Sequence, residues 1–174
     1  VLGMDAAVIE DVLNGREGVS IANYNCPGQI VITGEADAVA EAGTVLKEAG
    51  ARRVLPLKVS GPFHSPMMRP AGEELAKVFA RVSMNPLKIP YVANINAEVI
   101  TDCGRIEGLL VEQVSGSVRW QQSVETMIRE GVDTFVEIGP GKTLTGFLRK
   151  IDKNVKAYHI GSWEEAVQVC EELK

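Results

Sequence analysis

Histidine is nearly absent from this sequence, which has only two, His64 and His159, among 174 residues. Aromatic residues are also sparse at 5%, and the net charge is −5 with no basic stripe to offset it. Binding to nucleic acid needs such a stripe, usually with interleaved aromatic side chains, so we expect no nucleic-acid partner. The longest apolar runs are far too short to cross a bilayer and no signal-peptide pattern begins the sequence, so we expect no membrane partner.

Cysteine is scarce as well. Cys26, Cys103 and Cys170 are odd in number and widely spaced, which favours free thiols in a reducing, cytoplasmic setting. No CxxC pair and no cluster of histidine with cysteine occurs, so the sequence predicts neither a metal site nor a cofactor.

The sequence also lacks a recognisable motif for a catalytic nucleophile. No Gly-x-Ser-x-Gly motif occurs, and no cysteine lies in sequence beside a histidine. The chain begins with Val1 where a start methionine would stand, which we interpret as an interior start. We therefore expect the base-bearing part of a catalytic site whose nucleophile lies elsewhere.

Residues 1–58 have the pattern of a small split βαβ unit. The sequence predicts a helix from Asp5 to Leu13, capped by Asp5 and ended near Gly15, and a second amphipathic helix between Glu35 and Ala49, ended by Gly50. Two strands joined by a turn at residues 25–28, in which Asn25 and Gly28 can adopt positive φ, lie between these helices. The predicted strands are Val19–Tyr24, Gln29–Thr33 and Arg52–Leu57, with an opening strand at or before Val1-Leu2.

Residues 59–174 instead alternate helices with short apolar strands, as parallel α/β proteins do. We place the boundary between the two regions at Lys58–Gly61. The predicted helices span about 66–80, 106–114, 120–130, 142–151 and 163–173, and the predicted strands span 90–94, 134–138 and 156–160.

His64 is the leading candidate for a general base or acid. It lies in Gly61-Pro62-Phe63-His64-Ser65-Pro66, where Pro62 stiffens the approach and Ser65-Pro66 is a good helix start. An ordinary loop histidine is the alternative. His159 lies in a predicted strand without such a setting, and we interpret it as structural or solvent-facing.

The loop Gly139-Pro140-Gly141-Lys142-Thr143 follows a strand and precedes a helix, as a phosphate-binding loop does. The Walker pattern needs glycine five positions before Gly141, where Val136 stands, so we reject a P-loop. A sharp strand-to-helix turn is the preferred interpretation. An anion site formed by backbone N–H groups and Lys142 is the alternative.

Several basic residues flank these two segments and could form a local patch for an acidic partner, although such charges are usually a solvated face. They are Arg52, Arg53, Lys58, Arg69, Lys142, Arg149 and Lys150.

With these segments in view, nearly the whole chain resembles the malonyl-CoA:acyl carrier protein transacylases. Four motifs in the order of that family carry the resemblance. They are Asn23–Gly34 (NYNCPGQIVITG), Leu57–Ser65 (LKVSGPFHS), Glu112–Val114 (EQV) with Val118–Trp120 (VRW), and Glu137–Gly146 (EIGPGKTLTG).

The resemblance implies a ferredoxin-like (βαββαβ) small subdomain, residues 1–58, inserted in an α/β-hydrolase-like acyltransferase core whose C-terminal part is residues 59–174. It implies ping-pong transfer of malonyl from coenzyme A to the phosphopantetheine thiol of acyl carrier protein. His64 would be the catalytic base, and the main-chain carbonyl of Gln113 would orient it. We assign Phe63 and Asn25 to substrate binding.

The resemblance also implies that the nucleophilic serine, the oxyanion hole and the arginine that holds the malonyl carboxylate lie in an upstream N-terminal segment. We therefore expect the polypeptide alone to be inactive. A non-catalytic ferredoxin-like binding module is an alternative, but it leaves the His64 turn unexplained. A nucleotide-binding protein built on the glycine loop is a weaker one, since the spacing fails.

Overall fold

The computed structural model describes all 174 residues, from Val1 to Lys174. The chain is a mixed α/β protein with seven α-helices, two short 3-10 helices and three two-stranded sheets. None of the helices combines the length and the apolar character that a bilayer crossing needs. The helices are α1 (Ala6–Leu13), α2 (Ala36–Glu48), α3 (Arg69–Phe79), α4 (Ile106–Ser115), α5 (Trp120–Arg129), α6 (Thr143–Ile151) and α7 (Trp163–Glu172), and the 3-10 helices are Pro66–Met68 and Cys103–Arg105. The strands are β1 (Val19–Cys26), β2 (Gln29–Gly34), β3 (Tyr91–Val92), β4 (Val99–Ile100), β5 (Thr134–Ile138) and β6 (Lys156–Ile160).

The predicted helices and hairpin of the first region are confirmed, with one correction at the turn. The Asp5 side chain caps α1 by accepting the Ala7 N–H, as the sequence predicted. Strand β1 continues through Cys26, so the connection to β2 is shorter than predicted. Gly28 has a φ of 72°, whereas Asn25 does not adopt positive φ, because it lies within β1 in the bulge between the paired residues Tyr24 and Cys26.

The main apolar core lies entirely in this first region. Helices α1 and α2 both pack against β1. Burying these apolar side chains between helices and sheet is the main force that stabilises this region. Nine buried residues form the core cluster: Met4, Ile9, Leu13, Ile21, Tyr24, Ile30, Ala42, Leu46 and Ala51.

The predicted strand Arg52–Leu57 is wrong apart from a single bridge. Leu2 forms antiparallel bridges to both Gln29 and Arg53, and residues 54–57 have no strand pairing. One local reason is that Pro56 has no N–H to donate to a ladder.

In the second region the alternation of helix and strand is confirmed. Strands β5 and β6 pair in parallel, with Thr134 opposite Lys156 and Ile138 opposite Ile160. The predicted strand 90–94 is reduced to β3, which pairs with β4 in a short antiparallel ladder. Strand β4 was not predicted, because two residues carry no periodicity.

Residues 116–119, here called the connecting segment, lie between α4 and α5 in the chain and form hydrogen bonds to β1. Val118 donates its N–H to the Ala22 carbonyl and accepts the Tyr24 N–H, at 2.8 and 2.9 Å. The Arg119 N–H donates to the Asn94 carbonyl at 2.8 Å. The connecting segment therefore attaches the second region to the strand that contains Asn25.

Candidate active site

His64 lies in a tight turn that forces its backbone into an unusual conformation. Its φ is +59°, a left-handed value that residues other than glycine rarely adopt. The buried Ser65 hydroxyl donates to the Pro62 carbonyl at 2.7 Å and accepts the Met67 N–H at 3.3 Å. These two bonds close the turn around His64, and strained backbone of this kind is typical of functional sites.

The ring of His64 is oriented by the main chain of Gln113. Nδ1 of His64 lies 3.1 Å from the Gln113 carbonyl oxygen, 49 residues away in the sequence. A carbonyl can only accept, so Nδ1 carries the proton when the ring is neutral and Nε2 presents a lone pair. That arrangement equips Nε2 to act as a base.

The position of Gln113 near the end of α4 explains why its carbonyl is free. The last four carbonyls of a helix have no intrahelical donor. The N–H of Gly116, which follows α4, donates to the Glu112 carbonyl, so the Gln113 carbonyl is the next one along.

No serine or cysteine of the chain is paired with the His64 side chain. The nearest hydroxyl in sequence, Ser65, is occupied as a cap and is 1% exposed. His64 Nε2 makes no hydrogen bond within the 174 residues. The three cysteines are all free, and burial is the main factor that raises the pKa of the Cys26 thiol, opposed by Lys150.

Phe63 and Asn25 are placed differently from the His64–Gln113 pair. The Phe63 side chain precedes His64 in the same turn and is 49% exposed, so its ring is available to line a pocket. Asn25 lies in β1, and its side chain makes no hydrogen bond to His64 or Gln113. Their roles in substrate binding stay predictions.

The start of α6, which follows the glycine loop at residues 139–142, is already occupied by a negatively charged side chain of this chain. The Glu137 carboxylate accepts the N–H groups of Leu144 and Thr145 and the Thr145 hydroxyl, at 3.1, 2.7 and 2.6 Å. Desolvation acts to raise the pKa of the Glu137 carboxyl, but these bonds and the nearby His159 together lower it. An internal side chain therefore occupies the place where an external anion would bind, which supports the turn interpretation.

His159 supports the same loop from β6. Its Nε2 lies 2.9 Å from the Gly139 carbonyl oxygen, and its Nδ1 lies 3.4 Å from the Glu165 carboxylate. The side chain is 10% exposed, so the structural rather than the solvent-facing interpretation of His159 holds.

The predicted basic residues are exposed, and one of them contacts the first region. The Lys150 ammonium donates to the Gln29 side chain at 3.2 Å. Leu2 lies between Gln29 and Arg53, so about two strand spacings, roughly 10 Å, separate the backbones of those two residues. No group of three or more His, Cys, Asp or Glu side chains is arranged to hold a metal ion.

Sequence reasoning missed three hydrogen-bonding side chains, those of Glu137 and Ser117 and the amide of Gln113. For Glu137 a signal existed, since a carboxylate that ends a strand just before a helix start can cap that helix. For Ser117 no signal exists in the spacing, because its partner, the Ile21 carbonyl, is 96 residues away. The Gln113 amide has local partners, the carbonyls of Gly116 and Ser117, but no motif in the sequence marks these contacts.

A scan against protein families matches residues 2–169 to the acyl transferase domain. The chain belongs to the acyl transferase family. It is 42% identical to a malonyl CoA-acyl carrier protein transacylase of Bacillus subtilis, covering 100% of this chain and 56% of that relative. It is 41% identical to the Escherichia coli K12 protein of the same name, covering 87% of this chain and 50% of the relative.

Solved structures of similar proteins agree with this assignment. A structure described as MCAT from Streptococcus pneumoniae has a TM-score of 0.93 and 42% identity, covering 99% of this chain and 57% of that one. A complex of a malonyl-transacylase with its type II PKS acyl-carrier protein has a TM-score of 0.92 and 36% identity, again covering 99% and 57%. The acyltransferase chain therefore spans about half the length of the relatives it matches.

Proposed function

We propose that this chain is the base-bearing part of a malonyl-CoA:acyl carrier protein transacylase. The observation that carries the proposal is the contact of His64 Nδ1 with the Gln113 carbonyl, which leaves Nε2 free to accept a proton. The high similarity to proteins named as such transacylases supports it.

The chemistry follows from the orientation of the ring. His64 Nε2 takes the proton of a serine hydroxyl as the serine oxygen attacks the thioester carbonyl of malonyl-CoA. The carbon–sulfur bond breaks, the ring returns the proton to the coenzyme A thiolate, and a malonyl ester remains on the serine. In the second half, Nε2 takes the proton of the phosphopantetheine thiol as its sulfur attacks the carbonyl carbon of the malonyl ester. The carbon–oxygen bond to serine breaks, the ring returns the proton to the serine oxygen, and malonyl remains on the phosphopantetheine as a thioester.

We propose that the serine lies outside these 174 residues, in an upstream N-terminal segment. No serine pairs with His64 here, and the relatives are nearly twice as long. The finer architecture belongs to the same proposal. The bridges that place Leu2 between Gln29 and Arg53 support a ferredoxin-like subdomain, and the parallel β5–β6 pair supports a hydrolase-like core.

Mass spectrometry with malonyl-CoA tests this assignment. The full-length protein should gain one malonyl group on a serine outside residues 1–174, and the 174-residue polypeptide alone should gain none. The full-length His64→Ala variant is the matched control and should acylate far more slowly. Stoichiometric malonylation of the isolated polypeptide would contradict the proposed division of roles.

The partner in the second half-reaction is proposed to be an acidic acyl carrier protein. Its docking surface is proposed to be drawn from exposed basic side chains: Arg52, Arg53, Lys58, Lys142, Arg149 and Lys150. The KM for the carrier should rise with salt, because screening weakens contacts between exposed charges. An unaltered KM at low ionic strength after charge reversal of Arg53 and Lys150 would remove this surface from the proposal. The three free cysteines support a cytoplasmic setting.

A further inference from the structure

The side chain of Gln113 has a contact that orienting His64 through the main chain does not require. Its amide nitrogen donates to the Gly116 carbonyl at 3.0 Å and to the Ser117 carbonyl at 3.4 Å. The reverse orientation of the amide would place oxygen against two carbonyl oxygens, so the nitrogen must face them. The side chain thus links the last turn of α4 to the connecting segment.

Ser117 extends this link to the first region of the molecule. Its hydroxyl donates to the Ile21 carbonyl of β1 at 2.5 Å, 96 residues away in the sequence. The adjacent Val118 pairs with β1 on both sides of Asn23. The connecting segment is consequently held to β1 by one side-chain and two main-chain hydrogen bonds.

Gly116 leaves little room for the connecting segment to move. A Cβ added there would lie 2.2 Å from the end of the Ile95 side chain and 3.1 Å from the Glu112 carbonyl oxygen. The segment therefore packs closely against both α4 and the loop before β4. Movement of this segment would be transmitted to the last turn of α4, which contains the Gln113 carbonyl.

We propose that the Gln113 amide and the Ser117 hydroxyl are positioning groups for His64. They tie the end of α4 to β1 and so hold the Gln113 carbonyl at hydrogen-bond distance from Nδ1. Neither group touches the reacting atoms. The consequence for transfer, though not the contact itself, depends on the proposed function of His64 as the base.

Three variants of the full-length protein isolate these contacts. Gln113→Met keeps the volume and the main-chain carbonyl but removes the donor. Ser117→Ala removes the hydroxyl. Gln121→Met is the matched control, because it makes the same change where the amide donates only to Glu125 on the surface of α5.

The first measurement is independent of activity. In protein with ¹⁵N-labelled histidine, the His64 signals, assigned by their loss in His64→Ala, should show a single neutral tautomer with the proton on Nδ1. Gln113→Met and Ser117→Ala should give a mixture of tautomers, and Gln121→Met should not. A single Nδ1–H tautomer in both of the first two variants would overturn the proposal.

The second measurement is the kinetics of transfer. Each of the two variants should lower kcat about three- to tenfold, the effect of losing one ordinary hydrogen bond, with the KM for malonyl-CoA unchanged. Since both act through one link, the double variant should lose no more than the larger single loss. Fully additive losses, or a lower Tm with kcat unchanged, would overturn the proposal.

Failure of the proposed function would appear separately. If the tautomers mix as expected but the full-length wild-type protein transfers no malonyl group, the positioning of His64 stands and its assignment to acyl transfer does not.

Discussion

The two regions of the molecule differ in how completely they bury their own apolar side chains. All nine residues of the core cluster lie between Met4 and Ala51. In residues 59–174, by contrast, large apolar side chains point outward: Ile89 is 76% exposed, Ile138 78% and Trp163 78%. The region that contains His64 therefore exposes more of its large apolar side chains, in a chain that spans about half the length of its relatives.

Topology accounts for the closed core of the first region. An antiparallel hairpin with two helices on it can close a core from residues near in sequence, as β1, β2, α1 and α2 do. A parallel sheet is stable when both its faces are covered, and within these 174 residues the parallel sheet has only the strands β5 and β6. Substitutions in the first region should therefore act mainly on stability, and those around His64 mainly on chemistry.

The largest effect is expected for His64→Ala in the full-length protein. Loss of the base should lower kcat/KM for malonyl transfer about 10²–10⁴-fold, the usual contribution of a positioned proton acceptor. His159→Gln is the control, since it removes a ring that supports the glycine loop but should change kcat/KM far less. If both variants fold well and lose the same factor in kcat/KM, the assignment of His64 to chemistry and of His159 to structural support would be wrong.

A second comparison opposes a buried leucine to an exposed isoleucine. Leu46 is 0% exposed in the core cluster, so Leu46→Ala should reduce the free energy of unfolding by about 2–5 kcal/mol. Ile138→Ala should change it by less than about 0.5 kcal/mol, because that side chain is 78% exposed. Denaturant unfolding of the 174-residue chain measures both. A larger cost at Ile138 would show that the second region buries more than its exposure indicates.

Phe63→Ser tests whether the half-exposed ring beside His64 selects the acyl group. We expect the wild-type full-length protein to prefer malonyl-CoA over methylmalonyl-CoA, because the Phe63 ring excludes the α-methyl branch of the methylmalonyl group from the acyl pocket. The variant should narrow that preference by about 1–3 kcal/mol, the effect of a methyl-sized change in a pocket. The ratio of kcat/KM for the two thioesters is the measurement, and an unchanged ratio would remove Phe63 from the acyl pocket.

The smallest effect concerns pH and the cap on α6. The pKa of Glu137 is lower in the folded chain than its ordinary value, so its stabilising effect is complete above that ordinary value. The effect should be lost as the pH falls from that ordinary value through the lower folded pKa. Wild type should therefore lose its stability advantage over Glu137→Gln as the pH is lowered through this interval, as thermal unfolding at stepped pH would reveal. An advantage that persists at the acid end would contradict the cap.

Much of the fold was predictable because its signals are local. The cap at Asp5, the glycine after α2 and the apolar strands β5 and β6 each lie within a few residues of the feature they specify. The strand expected at Arg52–Leu57 is wrong beyond Arg53, where Pro56 cannot donate to a ladder. The strand expected at 90–94 is reduced to β3, because its partner β4 has only two residues.

The candidate site was predictable only in part. His64 stood out through its rarity and its prolines, but nothing in the spacing connects it to Gln113, 49 residues away. That pairing came from the resemblance to a family, and the structure adds the contact. Ser117 and its bond to Ile21 span 96 residues, which is beyond the reach of any local pattern.

The orienting group of His64 is a main-chain carbonyl, which every amino acid carries. No point substitution can delete it, so residue 113 can change in evolution without removing the acceptor itself. What the site cannot tolerate is a change in the length of α4. One residue inserted within that helix would turn the carbonyl by about 100° and move it by about 1.5 Å. Insertions and deletions in α4, more than substitutions in it, should therefore be the changes that selection removes.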